Sequence, residues 1–201
     1  MKDIILNKFR KIVTKSNKNI SKDELDKIMY GLEGLYLTIQ KMIIVFLIAF
    51  ILKILKEVII FIILYNLIRY LAFGVHAKNS LFCLIYSIIA FIGIPLLTKY
   101  ISINFYIKIS LFIVSILLII IYSPADTINR PIISKKRRIL YKILSSTLST
   151  IYMIISLNID NSYISNLILF ALLLETIMIL PITYKLLKMP YNNYKTFKND
   201  G

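Results

Sequence analysis

Long apolar runs separated by short basic segments are the feature that most constrains this chain. A helix needs about 20 mostly apolar residues to cross the hydrocarbon core of a bilayer, and the sequence contains six stretches of approximately that length. Hydrophobic residues make up 58% of the 201 residues, whereas a soluble domain contains about 45–50% and cannot bury the excess. The sequence therefore predicts an all-α, polytopic membrane protein and excludes disordered, coiled-coil and ordinary cytosolic enzyme classes.

The apolar stretches define six predicted spans. The second is the shortest, and Lys53, Lys56 and Glu57 separate it from the first, so four full spans with re-entrant segments remain an alternative. Because proline removes a backbone donor and clashes with the preceding helical turn, Pro95 is predicted to end the third span and Pro181 to kink or end the sixth. The predicted spans are Gly34–Leu52, Val58–Ala72, Ser80–Leu97, Asn104–Tyr122, Ile139–Leu157 and Tyr163–Leu187.

The distribution of basic residues predicts the orientation of the chain. The net charge is +15, but the charges lie between apolar runs, where they set topology and contact anionic lipid, so no nucleic-acid partner is expected. With the N-terminus placed in the cytoplasm, 19 of the 25 lysines and arginines fall in cytoplasmic segments and three in outer loops. The positive-inside rule therefore predicts that both termini are cytoplasmic.

A single membrane domain is predicted over residues 1–201. Its first 30 residues are predicted to form an amphipathic surface segment, because apolar and basic residues between Ile4 and Val13 fall on different helical faces, as in helices that lie in the membrane interface. Residues 188–201 are predicted to form a cytoplasmic tail.

The only histidine and the only cysteine, His76 and Cys83, are seven residues apart. A lone cysteine in an apolar helix is usually a packing residue, and a lone histidine near a membrane surface is often a polar tip, so a structural role for both stays open. One residue of each type is too few for a zinc site, and neither a metal nor another cofactor is expected.

The setting of these two residues favours catalysis. Both fall at the predicted cytoplasmic end of the spans, where Asn79 or Ser80 is a suitable N-cap for the third span. Cys83 then lies in the first turn, where free N–H groups and the helix dipole favour a thiolate. On one continuous helix, seven residues rise about 10.5 Å, which is too far for a base to reach a thiol. His76 is therefore predicted to lie outside the helix, next to Gly74, or to act from another subunit.

Two segments resemble the accessory gene regulator B (AgrB) family, membrane cysteine endopeptidases of Gram-positive quorum sensing. The first is RYLAFGVHAKNSLFC at residues 69–83, and the second is SPADTINRPI at residues 123–132. Length, span number and motif order also agree, so the resemblance covers essentially the whole chain. One departure is visible, because this chain has Phe73-Gly74 where the family often has two glycines. A basic run follows the second segment and comprises Lys135, Lys136, Arg137 and Arg138.

The resemblance implies a cyclising endopeptidase. Cys83 would be the nucleophile and His76 the general base, later the general acid, in cleavage of an AgrD-type pheromone precursor. In the family an internal cysteine or serine of the peptide then opens the acyl-enzyme thioester and closes a thiolactone or lactone ring. The resemblance also implies a homodimer in the cell membrane of a Gram-positive bacterium, with the catalytic pair near the cytoplasmic face.

Three further features are candidates for supporting the site. Arg69 is either a snorkelling charge or a carboxylate clamp for the acidic part of the precursor. Asp126 either orients His76 or forms a structural turn with its polar neighbours. The basic run 135–138 is a topology signal that can also bind the negative charges of the precursor.

An acid inside the sixth predicted span, Glu175, requires a partner, because an intramembrane charge is costly when it is alone. Lys142 in the fifth predicted span is a candidate for that partner. The role of this pair is predicted to be packing.

The main alternative function is a small transporter or peptide exporter without covalent chemistry. Such a protein would have paired polar residues near the bilayer midplane and broken spans, but the midplane of the predicted spans is nearly bare. Other intramembrane proteases are excluded by their motifs. The predicted spans contain no pair of aspartates, and the sequence contains neither His-Glu-x-x-His nor a Gly-x-Ser motif paired with a histidine.

Overall fold

The computed structural model describes residues 2–16, 20–75, 80–127 and 131–198, which are mostly helical. The described part of the chain contains no β-strand, which confirms the predicted all-α class. A π-helical segment, Ile89–Gly93, joins the fourth helix to the fifth, and a 3₁₀ helix spans Asn193–Lys198. The α-helices are α1 (Lys2–Ser16), α2 (Lys22–Ile51), α3 (Leu55–Ala72), α4 (Ser80–Ile88), α5 (Ile94–Thr98), α6 (Phe105–Tyr122), α7 (Lys135–Asn158), α8 (Ser162–Ile179) and α9 (Pro181–Leu186).

Five helical segments of the described chain are long and apolar enough to cross a bilayer. The remaining predicted span coincides with α3, which has 18 residues but carries Lys56, Glu57 and Arg69. All six predicted spans are therefore helical, and the chain is a multi-pass membrane protein. The five segments are Lys22–Ile51, Leu81–Thr98, Phe105–Tyr122, Lys135–Asn158 and Ser162–Ile179.

Residues 1–48, which include α1 and most of α2, form one structural unit. A capping box begins α2: Ser21 Oγ accepts a hydrogen bond from Glu24 N at 3.2 Å, and Glu24 Oε2 accepts one from Ser21 N at 3.1 Å. These bonds satisfy backbone donors that a helix start leaves free. On α1, Phe9 and Ile12 are exposed among basic residues. That exposure suits an interfacial helix, although the surface role of this segment stays a prediction.

The second unit, residues 49–201, is a helical bundle with α8 at its centre. Two-thirds of the residues of α8 are buried, against about a fifth of those of α6 and α7. Around α8, buried apolar side chains from α3, α6 and α7 form one core, which includes Ile68, Phe112, Ile119, Tyr152, Leu169 and Leu172. The central position of α8 means that any polar group on it must find a partner inside the bundle.

The two prolines in predicted spans behave differently. The prediction that Pro95 ends the third span is wrong, because the chain stays helical through Thr98. The π-helical segment just before it resets the hydrogen-bond register, and Pro95 then falls in the first turn of α5, where a missing N–H costs no bond. Pro181 does interrupt the sixth span. Leu180 before it is extended, with φ −66° and ψ 139°, as residues preceding proline prefer.

The C-terminal ends of α3, α6 and α8 meet at one end of the bundle. Gly74 N donates to Ala125 O at 2.8 Å, Ala125 N donates to Ala72 O at 2.9 Å, and Val75 N donates to Met178 O at 3.2 Å. The first two bonds form an isolated parallel β-bridge between Phe73 and Ala125. Three helix ends on one side are what alternating membrane crossings require, so the loops after these helices face the same compartment.

The charge distribution predicts which compartment that is. In a Cys83→Ala background, a Ser134→Cys thiol should react with a membrane-impermeant maleimide only after cells are permeabilised. Ser102→Cys serves as the matched control, because both serines are exposed outside helices and Ser102 lies in a predicted outer loop. It should react in intact cells. The reverse labelling pattern would contradict the positive-inside assignment.

Candidate functional site

The guanidinium of Arg69 organises the chain after α3. Its Nη1 donates to Phe73 O at 3.2 Å, and its Nη2 donates to the carbonyl oxygens of Gly74 and Val75. These carbonyls follow a helix end and have no partner of the kind that a continuing helix would supply. One side chain thereby holds three successive peptide groups in a fixed, non-helical path that leads toward His76.

A fully buried carboxylate on α8 balances the charge of Arg69. Glu175 Oε2 lies 3.2 Å from Arg69 Nη1. The predicted Glu175–Lys142 pair is wrong, because α8 turns Glu175 toward α3 while Lys142 lines a cavity elsewhere in the bundle. Removing one partner of a buried ion pair leaves an uncompensated charge, so this pair commits both helices to one arrangement.

Glycine is required at position 74 because little space remains beside the Arg69 guanidinium. Its φ of +114° lies in a region that side chains disfavour. A Cβ at this position would stand 2.8 Å from Arg69 Nη1, 3.2 Å from Met178 O and 3.3 Å from Glu175 Oε1. The glycine therefore lets the backbone approach both members of the ion pair.

Cys83 lies where the sequence predicts it. Helix α4 begins at Ser80, so Cys83 is its fourth residue and falls in the first turn. The side chain is half-buried. Helix α3 ends at Ala72, Phe73–Val75 are non-helical and α4 begins at Ser80, while the placement of His76 outside the helix of Cys83 stays a prediction. His76 and the predicted cap Asn79 lie outside the described residues.

Asp126 is buried and anchors the C-terminal segment. Its Oδ1 accepts from Asn193 N at 3.1 Å, and its Oδ2 accepts from Tyr194 N at 2.9 Å. Oδ2 also lies 3.5 Å from Arg138 Nη1. Beside it, the hydroxyl of Tyr184 donates to Ala125 O at 3.0 Å. These contacts favour the structural interpretation of Asp126, and they extend well beyond a local turn.

The basic run forms the first turn of α7, and its four members have different surroundings. Lys135 and Arg138 line a cavity of about 360 Å³ together with Lys142. Lys136 and Arg137 are exposed and are not among the residues that line it. Two of the four basic side chains of the run thus line the cavity, and the other two lie on the surface outside it.

Sequence reasoning did not identify three contributors to this region. Tyr184, Asn193 and Tyr194 hold the Asp126 loop; Tyr184 lies near the end of the last predicted span, and the other two follow that span. The Asn-Asn-Tyr sequence at the start of the 3₁₀ helix is polar enough to suggest a capping role, but nothing local indicates its partner. Among the described residues, no three His, Cys, Asp or Glu side chains are grouped to hold a metal ion.

Comparison with known proteins gives consistent matches. A family described as Accessory gene regulator B matches residues 6–179. The chain is 34% identical over 200 residues to a putative AgrB-like protein of Clostridium acetobutylicum, covering 98% of this chain and 96% of that protein. It is 35% identical over 168 residues to accessory gene regulator protein B of Staphylococcus epidermidis, covering 83% and 84% of the two chains. No solved structure matches it.

The packing around Gly74 predicts that alanine substitution lowers stability at Gly74 but not at Gly93. Gly74→Ala should destabilise the protein by more than about 1 kcal/mol, because the new Cβ meets the ion pair at an unfavourable φ. Gly93→Ala is the matched control, since a Cβ there meets nothing within 4 Å and alanine favours helix. Thermal unfolding in detergent should show a lower Tm for Gly74→Ala alone. Equal Tm values would contradict the proposed steric constraint.

The buried ion pair generates a second prediction. Glu175→Gln keeps the shape of the side chain but leaves the Arg69 guanidinium without a counter-charge, at an expected cost of about 3–5 kcal/mol. The exposed Asp160→Asn variant removes the same charge and should stay within about 0.5 kcal/mol of the parent. Denaturant unfolding in mixed micelles measures both. A small loss in Glu175→Gln would mean that the pair does not hold the α3–α8 contact.

Proposed function

Because the chain belongs to the AgrB family and has a role in accessory gene regulator quorum sensing, we propose that it is a membrane cysteine endopeptidase. Its substrate is an AgrD-type autoinducing-peptide precursor, which it cleaves and helps to cyclise. The supporting observation is the break between α3 and α4. The non-helical segment held by Arg69 separates the helix that precedes His76 from the helix that begins just before Cys83.

The first chemical step is acyl transfer to the enzyme. His76 removes the thiol proton of Cys83, and the sulfur attacks the carbonyl carbon of the scissile peptide bond. His76 then gives the proton to the leaving amine. The products are a released C-terminal fragment and a thioester between Cys83 and the remaining precursor.

The second step closes the ring. A cysteine thiol or serine hydroxyl inside the bound peptide attacks the thioester carbonyl, His76 takes its proton, and the Cys83 sulfur leaves and is reprotonated. The thioester retains part of the free energy of the cleaved amide for this step. Hydrolysis competes with ring closure, so a site at the edge of the membrane that limits water entry favours the cyclic product.

Arg69, Gly74 and Asp126 act as positioning residues in this proposal. The Arg69 guanidinium already bonds three carbonyls and Glu175, which favours a structural role over the predicted clamp for a substrate carboxylate. Gly74 allows the close backbone approach. Asp126 holds the loop that is hydrogen-bonded to Gly74 through Ala125, and it acts through that loop.

The basic run supplies the electrostatic contacts of the proposed complex. Lys136 and Arg137 are exposed and suit the negative charges of the precursor. Lys135 and Arg138 border the same surface through the cavity that they line. An amphipathic leader on the precursor would lie in the same membrane interface, which raises its local concentration near the site.

The site belongs on the cytoplasmic face of the cell membrane in this proposal, and two copies of the chain form a homodimer. The orientation is supported by the 19 basic residues in predicted cytoplasmic segments. A dimer would offer His76 of one copy to Cys83 of the other, or each copy would use its own pair.

The alternative of a transporter without covalent chemistry is not favoured. The charged groups inside the bundle lie near helix ends. Arg69 is in the last turn of α3, Glu175 is four residues before the end of α8, and Lys108, which donates to Ser165 at 2.6 Å, is in the first turn of α6. Transport sites of this type lie near the midplane.

The proposal predicts loss of cleavage when either member of the pair is removed. In vesicles containing the full chain and an AgrD-type precursor, Cys83→Ala should give no product and His76→Ala should reduce cleavage by about 10²–10⁴-fold. A precursor whose ring-closing residue is replaced by alanine should accumulate on the parent enzyme as a thioester that hydroxylamine releases.

The control moves the thiol without removing it. Cys83→Ala combined with Leu84→Cys keeps one thiol on α4 but rotates it by about 100° around the helix, and this variant should also be inactive. Cleavage by Cys83→Ala, or export of uncleaved precursor by any of these variants at the parent rate, would contradict the peptidase proposal.

A further inference from the structure

The cavity of about 360 Å³ at the start of α7 has one sign of charge. It is lined by Ser123, Pro124, Ile133, Lys135, Arg138, Ile139, Lys142 and Tyr194. Three of these side chains are basic and none is acidic. Lys135, Arg138 and Lys142 follow one another at spacings of three and four residues, so they lie on one face of α7.

Arg138 is the most constrained member of this set. Its guanidinium lies over the ring of Tyr194, with Cζ 3.6 Å from the ring centroid. Its Nη1 is buried and 3.5 Å from Asp126 Oδ2, yet it makes no hydrogen bond within the described part of the chain. A buried guanidinium donor without an acceptor is costly, and an oxygen-rich anion in the cavity would provide one.

The start of α7 adds further donors. Ser134 occupies the N-cap position, but its side chain makes no capping hydrogen bond. The first backbone N–H groups of α7 therefore lack a side-chain acceptor, and the positive end of the helix dipole adds to the field of the three cations. Neither Lys135 nor Lys142 forms an ion pair with a described residue, so their charge is available to a ligand.

The position of the cavity identifies the kind of anion. It lies between the end of α6 and the beginning of α7, both of which are candidate spans, and hence at the surface of the membrane. Its apolar members Ile133 and Ile139 are each about half exposed. On the same helix, Leu140 and Ile143 continue an exposed apolar surface toward the bilayer core.

From this arrangement we propose that the cavity binds the phosphate headgroup of an anionic phospholipid. The phosphate oxygens accept from the three basic side chains and the α7 N-terminus, and an acyl chain follows the apolar side of α7. Basic pockets between membrane helices bind lipid headgroups in this way. Cys83 is not among the residues that line the cavity, whereas Arg138 links the cavity to Asp126 at 3.5 Å.

A phosphodiester fits this donor set better than a peptide carboxylate does. Tetrahedral phosphate oxygens can accept from donors arranged around them, whereas one carboxylate presents two oxygens in a plane. The exposed apolar residues beside the cations also have a partner in an acyl chain, but none in an acidic peptide tail. The exposed Lys136 and Arg137 remain available to the precursor.

The test measures lipid binding to the full chain in detergent by native mass spectrometry. Short-chain phosphatidylglycerol should bind more tightly than short-chain phosphatidylcholine. Lys135→Gln and Lys142→Gln should each weaken phosphatidylglycerol binding about five-fold, as expected for one charge near a lipid headgroup. Lys136→Gln is the matched control, because it removes the same charge from the same helical turn outside the cavity, and it should leave binding unchanged.

Each other outcome overturns the proposal. Equal weakening in all three variants would mean that only the general positive charge attracts lipid. Displacement of phosphatidylglycerol by an equal concentration of inorganic phosphate would mean that the cavity binds the free ion. Displacement by a hexaglutamate peptide would identify an acidic peptide as the occupant. Lys142→Arg, which keeps the charge, should retain binding and separates loss of the site from loss of folding. Precursor cleavage by the parent chain is measured separately, because the binding of lipid is scored by mass alone and requires no catalysis.

Discussion

The Arg69–Glu175 ion pair is the interaction on which the rest of the bundle end depends. It joins α3 to the central helix α8 in an environment where either charge alone would be expensive. Because the same guanidinium also donates hydrogen bonds to three carbonyls, the ion pair stabilises a backbone path as well as a helix contact. Folding stability and the position of the segment before His76 are therefore set by one charge balance.

A second set of hydrogen bonds connects the segment after α3 to the loop after α6 and to the C-terminal segment. Backbone hydrogen bonds tie Gly74 to Ala125, and Asp126 ties the next peptide to the C-terminal segment. The backbone groups of residues 72–75 thus pair with those of Ala125 and Met178, and the side chains of Asp126 and Tyr184 add further hydrogen bonds to this loop.

The sequence predicts the helices well because hydropathy is a local property. The span predicted at Asn104–Tyr122, for example, is α6, Phe105–Tyr122. The sequence does not predict which side chains pair with one another across the bundle. Glu175 and Arg69 are 106 residues apart, and the expectation of Lys142 failed because position along a span does not say which way a side chain faces. The anchoring of Asp126 by Asn193 and Tyr194 is equally non-local. In addition, the 3₁₀ segment that carries these two residues is too short to show a periodic pattern in the sequence.

The capture of the C-terminal segment by Asp126 has a consequence for the order in which the protein is made. Asn193 follows Asp126 by 67 residues, and α7, α8 and α9 lie between them. The carboxylate thus enters the membrane surface before its hydrogen-bond donors have been synthesised. Until they emerge, the Asp126 carboxylate lacks these two backbone donors, and its loop lacks the anchor to the C-terminal segment. A chain that stops before Asn193 therefore contains α1–α9 but lacks the Asn193 and Tyr194 contacts that hold this loop.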